Sequence, residues 1–178
     1  MNQVEMNKQA KLSEHMTLGE LTRSKSHPEI YNIPSRQVIE NLKRVCVWLE
    51  ALRARYNERY VLTGVRPQSA KVASDFTLGP DPEPIIITSG YRSAELNRKV
   101  GGVATSNHLT GCAVDIRVAG KEQLIRYACI LLDYADETKQ DFDELLLEHG
   151  SNGVIWLHFA VRPQGNRRRI NFLTAQSV

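Results

Sequence analysis

The sequence predicts an α+β fold: a small, mainly antiparallel sheet with flanking helices. Three observations predict it. Residues 36–58 and 121–135 each carry an apolar stripe at three- and four-residue spacing. Residues 85–88 and 112–118 are short runs on a β-branched background. Residues 143–148 and 154–161 flank the turn-rich segment Glu148-His149-Gly150-Ser151-Asn152-Gly153, so they are expected to pair as a hairpin. Runs of this kind, mixed along one chain, point to helices packed on a sheet.

The elements follow in order. Residues 1–12 are polar and are expected to be poorly ordered. Thr17-Leu18-Gly19-Glu20 reads as a capping box, opening a short helix over 18–23. Residues 24–34 hold His27, Pro28, Asn32 and Pro34 and read as a loop. Ser35 is a good N-cap for the long helix, whose stripe is Val38, Ile39, Leu42, Val45, Cys46, Leu49 and Leu52. Residues 64–84 are rich in proline and glycine and read as a long loop or insertion. A strand over 85–88 is broken by Gly90. A short helix over 93–100 starts at Ser93 and stops at Gly101-Gly102. Residues 103–111 read as loop. In the helix over 121–135, Leu124, Tyr127, Ala128, Leu131 and Leu132 share a face.

The chain has 178 residues, which fits one domain able to bury its own core. Lys and Arg total 23 against 20 Asp and Glu, a net charge of +3 and too weak to argue for nucleic acid. Arg167-Arg168-Arg169 is the one dense basic run and reads as a solvated strand or loop edge. Cys46, Cys112 and Cys129 are an odd number and are far apart, so a disulfide framework is not expected. CxxC is absent, which excludes a cysteine-rich zinc site. No apolar run approaches the roughly 20 residues of a membrane helix. The polar start has no apolar core of a secretory signal, so the chain is expected to be cytoplasmic as synthesised.

The chemistry concentrates in Ser106-Asn107-His108-Leu109-Thr110-Gly111-Cys112-Ala113-Val114-Asp115, with His158 on a later strand. Two imidazoles and a carboxylate are donors of the type zinc takes. The spacing of His108 and Asp115 is by itself a weak pattern. A lone strand histidine such as His158 is commonly a hydrogen-bonded core residue. Asp115, between Val114 and Ile116, needs a partner if buried. Zinc is one solution and Arg92 is another. His15 and His27 read as surface residues, and His149 as exposed beside the turn.

Ser106-x-His108-x-x-Gly111-x-Ala113-x-Asp115 resembles the zinc motif of the zinc D-Ala-D-Ala carboxypeptidase family. Vancomycin-resistance D,D-dipeptidases and phage L-alanyl-D-glutamate endolysins also fall in that family, and members from Bacteroides-group genomes and their mobile elements are similar too. The segment from Leu12 to Thr22 resembles the entry of its carboxypeptidase branch. Thr88-Ser89-Gly90-Tyr91-Arg92-Ser93, then Leu96-Asn97 and Val100-Gly101-Gly102, resemble the stretch before its zinc motif. Trp156-Leu157-His158 resembles its last zinc ligand, and Arg167-Arg168 before Leu173-Thr174-Ala175 its C-terminal end. The resemblance covers about residues 11–176, in order. The 64–84 segment is longer and more irregular than the family leads one to expect.

The resemblance implies a hedgehog-type peptidase fold and one zinc per chain, held by His108, Asp115 and His158. It implies Arg92 and Ser106 as substrate-binding residues, with Arg92 also facing the developing oxyanion. Some relatives place a carboxylate three residues before the last histidine, where this chain has Ile155. The hedgehog signalling domain, a distant relative, instead places a glutamate at the end of the preceding strand, and Glu148 fits that arrangement as general base. Asp143 and Glu144 read as surface residues. The implied substrate is a peptidoglycan stem peptide, cleaved as a D-Ala-D-Ala carboxypeptidase. The alternatives are an L-Ala-D-Glu endopeptidase and a non-catalytic, zinc-bearing module of a phage or mobile element. A monomer with no nucleic-acid or membrane partner is expected, reaching the cell wall by release or delivery.

Overall fold

A computed structural model describes residues 6–62 and 81–174. Most of the expected 64–84 loop therefore lies outside the described residues. The helices are α1 (Leu18–Thr22), α2 (Arg36–Tyr56), α3 (Ala94–Lys99) and α4 (Lys121–Thr138). The strands are β1 (Ile87–Ser89), β2 (Ala113–Arg117), β3 (Glu144–His149), β4 (Ile155–Ala160) and β5 (Arg169–Thr174). The α+β class is as predicted.

Local sequence chemistry sets the helix starts. The Thr17 hydroxyl accepts from Glu20 N, and Glu20 reaches back to Thr17 N at 2.8 Å, completing the capping box. Ser35 and Ser93 accept from the backbone N–H groups of Val38 and Leu96 and cap α2 and α3. Helix α2 runs on into a wider turn over Asn57–Val61. Residues 6–12, expected to be loose, are instead tied down. Leu18 N donates to Ala10 O at 2.8 Å and Leu12 N to Met16 O at 2.9 Å, while Met6, Ala10 and Leu12 pack on the core.

The sheet order is β1-β2-β4-β3-β5. The first three neighbouring pairs are antiparallel and β3–β5 is parallel, so the sheet is mixed. The expected hairpin is present, with Glu148 opposite Trp156 and Leu146 opposite His158. Of strand β5 the sequence offers only its first residue, at the end of the basic run read as a solvated strand or loop edge. Ile170 and Phe172 of β5 stay exposed on the sheet's edge, so no buried face marks it.

Side chains alternate across a strand, which gives the sheet two different faces. Val114, Ile116, Leu145, Leu147, Leu157 and Phe159 are buried with the apolar residues of α2 and α4 in one continuous core. Trp48 of α2 lies fully buried within it, 5.2 Å from Phe159 and 6.3 Å from Phe142 between ring centroids. By the same alternation Asp115, His158, Glu144, Leu146 and Glu148 project from the other face. Among the described residues no helix is long and apolar enough to cross a membrane.

Candidate metal centre

The short 3-10 helix Asn107–Thr110 carries His108 to this second face. Ser106 caps it, its hydroxyl accepting from His108 N at 3.3 Å. Gly111 ends it at φ 71°, in the left-handed region. A Cβ at Gly111 would lie 2.8 Å from Val38 Cγ1 and from Val38 O, so α2 packs directly on this turn. Asp115 stands on β2 directly opposite His158 on β4, and directly opposed residues share a face. A loop, a central strand and its neighbour thus bring three donors together.

The geometry is tight. Asp115 Oδ1 lies 2.9 Å from His158 Nδ1 and 3.3 Å from His108 Nε2. Each of His108, Asp115 and His158 offers one ligand atom within 4.8 Å of those of the other two, and all three residues are buried. The other nitrogen of His108, Nδ1, is 2.7 Å from Gly90 O. A carbonyl can only accept, so Nδ1 carries the proton and Nε2 turns its lone pair inward. Gly90 is held close for this purpose: a Cβ there would sit 2.3 Å from Leu21 O. Two imidazole nitrogens and one carboxylate oxygen, with an outer hydrogen bond fixing one imidazole, fit a zinc ion.

Of the two solutions weighed for Asp115, Arg92 is in direct contact with it, and the other carboxylate oxygen stays turned to the two histidines of the candidate metal group. Asp115 Oδ2 accepts from Arg92 Nη2 at 2.6 Å, while Oδ1 faces the histidines. Arg92 Nε also donates to Ser89 Oγ at 2.8 Å, and Nη1 is uncommitted among the described residues. Burial opposes the charge on Asp115, but His108 and His158 outweigh it and hold the carboxyl well below its ordinary range. Burial also keeps His108 below its usual value, with Arg92 and His158 acting the same way against Asp115. A neutral His108 and an ionised Asp115 are the forms that bind metal. Burial works against charge on His158 too. Asp115 and Glu144 win there, and its imidazole is pushed up to about 9.

Glu144 and Asp143 are not surface residues. The side chain of Asp143 has no solvent exposure and that of Glu144 only 13%. Arg167 donates to Asp143 through Nε and Nη2, both at 2.8 Å, and to Glu144 Oε1 at 2.8 Å. Asn107 donates to Asp143 Oδ2 at 2.7 Å and to Glu144 Oε2 at 2.9 Å. The basic run is therefore no free patch; Arg167 anchors β5 to the metal side of β3, and Arg168 pairs with Asp136 and Asp141. His158 and its neighbours outweigh burial and hold Glu144 down at about 2.

Glu148 is half-buried on the same sheet face as His158. Burial raises its pKa, with Asp115 adding to the rise and His158 and Arg92 opposing it. Ile155, the position of a carboxylate in some relatives, packs against the core from the opposite face. A carboxylate there would point away from His158. His149 is exposed at the strand end. A cleft of about 840 Å³ opens among residues 6–9, α1 and the 23–33 loop. Asn32 on its wall donates to Tyr91 O and accepts from Ser93 N, so the cleft abuts the loop carrying Arg92. A smaller cavity of about 300 Å³ is lined by Ser106, Asn107 and Arg162. Neither cavity is lined by one of the three donors.

Residues 77–132 match the family described as Peptidase M15. That stretch is less than half of the chain; it contains Arg92, His108 and Asp115 but stops short of Glu148 and His158. No curated protein matches the chain. The match and the buried His108–Asp115–His158 group together support the M15 zinc peptidase family and a metallopeptidase activity.

Proposed function

We propose that the protein is a zinc peptidase of peptidoglycan stem peptides, cleaving D-Ala-D-Ala as a carboxypeptidase. The observation that carries the reading is the convergence of His108 Nε2 and His158 Nδ1 on Asp115 Oδ1, with Glu148 on the same face of the sheet. The choice of substrate rests on the ordered motifs from Thr88 to Asp115 and on Trp156-Leu157-His158. Zinc, when bound, supplies Lewis acidity towards the scissile carbonyl and towards water.

The remaining steps belong to the chain. Glu148 takes the proton of the attacking water and delivers it to the leaving amine. Its raised pKa brings it closer to the neutral range, where a group gives and takes protons most efficiently. Arg92 holds Asp115 with one nitrogen and offers Nη1 to the oxyanion as charge develops. Ser106 contacts the substrate beside His108. The protein acts as a monomer and meets its substrate at the cell wall, after release or delivery.

Digestion of purified muropeptides, read by mass spectrometry with and without zinc, tests this reading. Zinc-dependent loss of a terminal D-alanine is expected. Cleavage between L-alanine and D-glutamate would make the protein an endopeptidase instead. Intact muropeptides with a zinc-loaded protein would contradict an enzyme and favour a binding module.

The Arg92 assignment has its own test. A guanidinium makes directional, paired hydrogen bonds that an ammonium cannot reproduce. Arg92→Lys is expected to lower the hydrolysis rate by about 10²–10³-fold, the size of a lost oxyanion donor, with zinc retained. Zinc content falling in step with the rate would restrict Arg92 to holding Asp115.

A further inference from the structure

His158 has a second ring nitrogen that the donor set does not use. Its Nε2 is buried and has no hydrogen-bond partner. The group that faces it is Glu144 Oε2, at 3.4 Å, which is within ion-pair range but not aligned as a hydrogen bond. Glu144 is not placed there by chance packing of a flexible side chain. Asn107 grips the same Oε2 at 2.9 Å, and Arg167 grips Oε1 at 2.8 Å. Arg169 adds a contact to Oε1 at 3.3 Å. Asn107 is itself fixed, since its side-chain oxygen accepts from Arg162 Nε at 2.8 Å. Asn107 immediately precedes His108, so one network reaches both histidine-bearing segments.

We infer that Glu144 is a positioning residue for the metal centre, the acceptor that receives the Nε2–H of His158 and fixes the imidazole with Nδ1 turned to the metal. The inference rests on the zinc reading of His108, Asp115 and His158. Histidine ligands as a rule donate their other N–H to a carboxylate, a carbonyl or water, which sets both the tautomer and the ring orientation. His108 does this with Gly90 O. Glu144 supplies the equivalent for His158, and it does so from β3 rather than from the metal-binding strands. Arg167, which clamps Glu144, thereby connects the entry to β5 with the metal centre.

The test is the zinc dissociation constant of the full chain, measured by chelator competition for wild type, Glu144→Ala and Glu144→Gln. Glu144→Ala is expected to weaken zinc binding by about 10–100-fold. Glu144→Gln keeps an acceptor oxygen and is expected to restore most of that loss. Urea unfolding of the metal-free proteins controls for folding, and Arg167 keeps its two bonds to Asp143 in both variants. An exchange-protected imidazole N–H of His158 should be seen by NMR in the zinc-loaded wild type and be lost in Glu144→Ala. A folded Glu144→Ala that binds zinc as tightly as wild type, or a Gln variant as weak as Ala, would overturn the inference and leave the zinc site standing. A wild type that takes up no zinc would overturn the site and the inference together.

Discussion

Glu148→Gln is expected to lower the rate of peptide hydrolysis by about 10²–10⁴-fold, the usual size of a general acid–base contribution. Zinc content and fold should stay those of wild type, because Glu148 is none of the three donors. The pairing of β3 with β4 is what gives Glu148 this place. Glu148 opposes Trp156 and lies two residues along the strand from Leu146, which opposes His158. A slip of one residue would have sent it into the core face. Burial, which raises its pKa, also fixes the direction of the pH dependence. A base must be ionised to act, so activity rises with pH through that raised pKa. That acid limb should vanish in the variant. Near-normal turnover by Glu148→Gln would remove Glu148 from the mechanism.

Asp115→Ala should have the largest effect on the protein as a whole. One carboxylate serves His158 and His108 through Oδ1 and Arg92 through Oδ2. Its loss removes a zinc donor and leaves the Arg92 guanidinium, 17% exposed, without its carboxylate. Breaking one partner out of a buried pair costs about 3–5 kcal/mol. Urea unfolding of the metal-free variant should show a loss of that order, and zinc uptake should disappear. A variant that retains stoichiometric zinc would remove Asp115 from the donor set.

How far the sequence could be read follows from the range of the interactions. Caps and amphipathic helices depend on residues a few positions apart, and Thr17, Ser35 and Ser93 act as their sequence neighbours predict. The hairpin was legible for the same reason, since its turn is short. The donor residues His108, Asp115 and His158 were open to bland readings on their own; the motif order singled them out, and the β2–β4 register brings the last two face to face. Glu144 and Asp143 were misread because their burial depends on Arg167 and Asn107, which are remote in sequence. No periodicity in residues 141–149 announces such partners. Strand β5 escaped because an edge strand with exposed Ile170 and Phe172 gives no inside-outside pattern tied to a core. Residues 6–12 are ordered because their backbone pairs with the segment that opens α1 and because Met6, Ala10 and Leu12, spaced among polar residues, reach the core.

The most direct test of the central claim is the zinc content of the purified chain after reconstitution and removal of loose metal, determined by elemental analysis beside Asp115→Ala. The account predicts about one zinc per wild-type chain, a metal-free protein of lower stability, and no bound zinc in the variant. A wild-type protein that retains no divalent metal, or one that holds it equally well without Asp115, would contradict it.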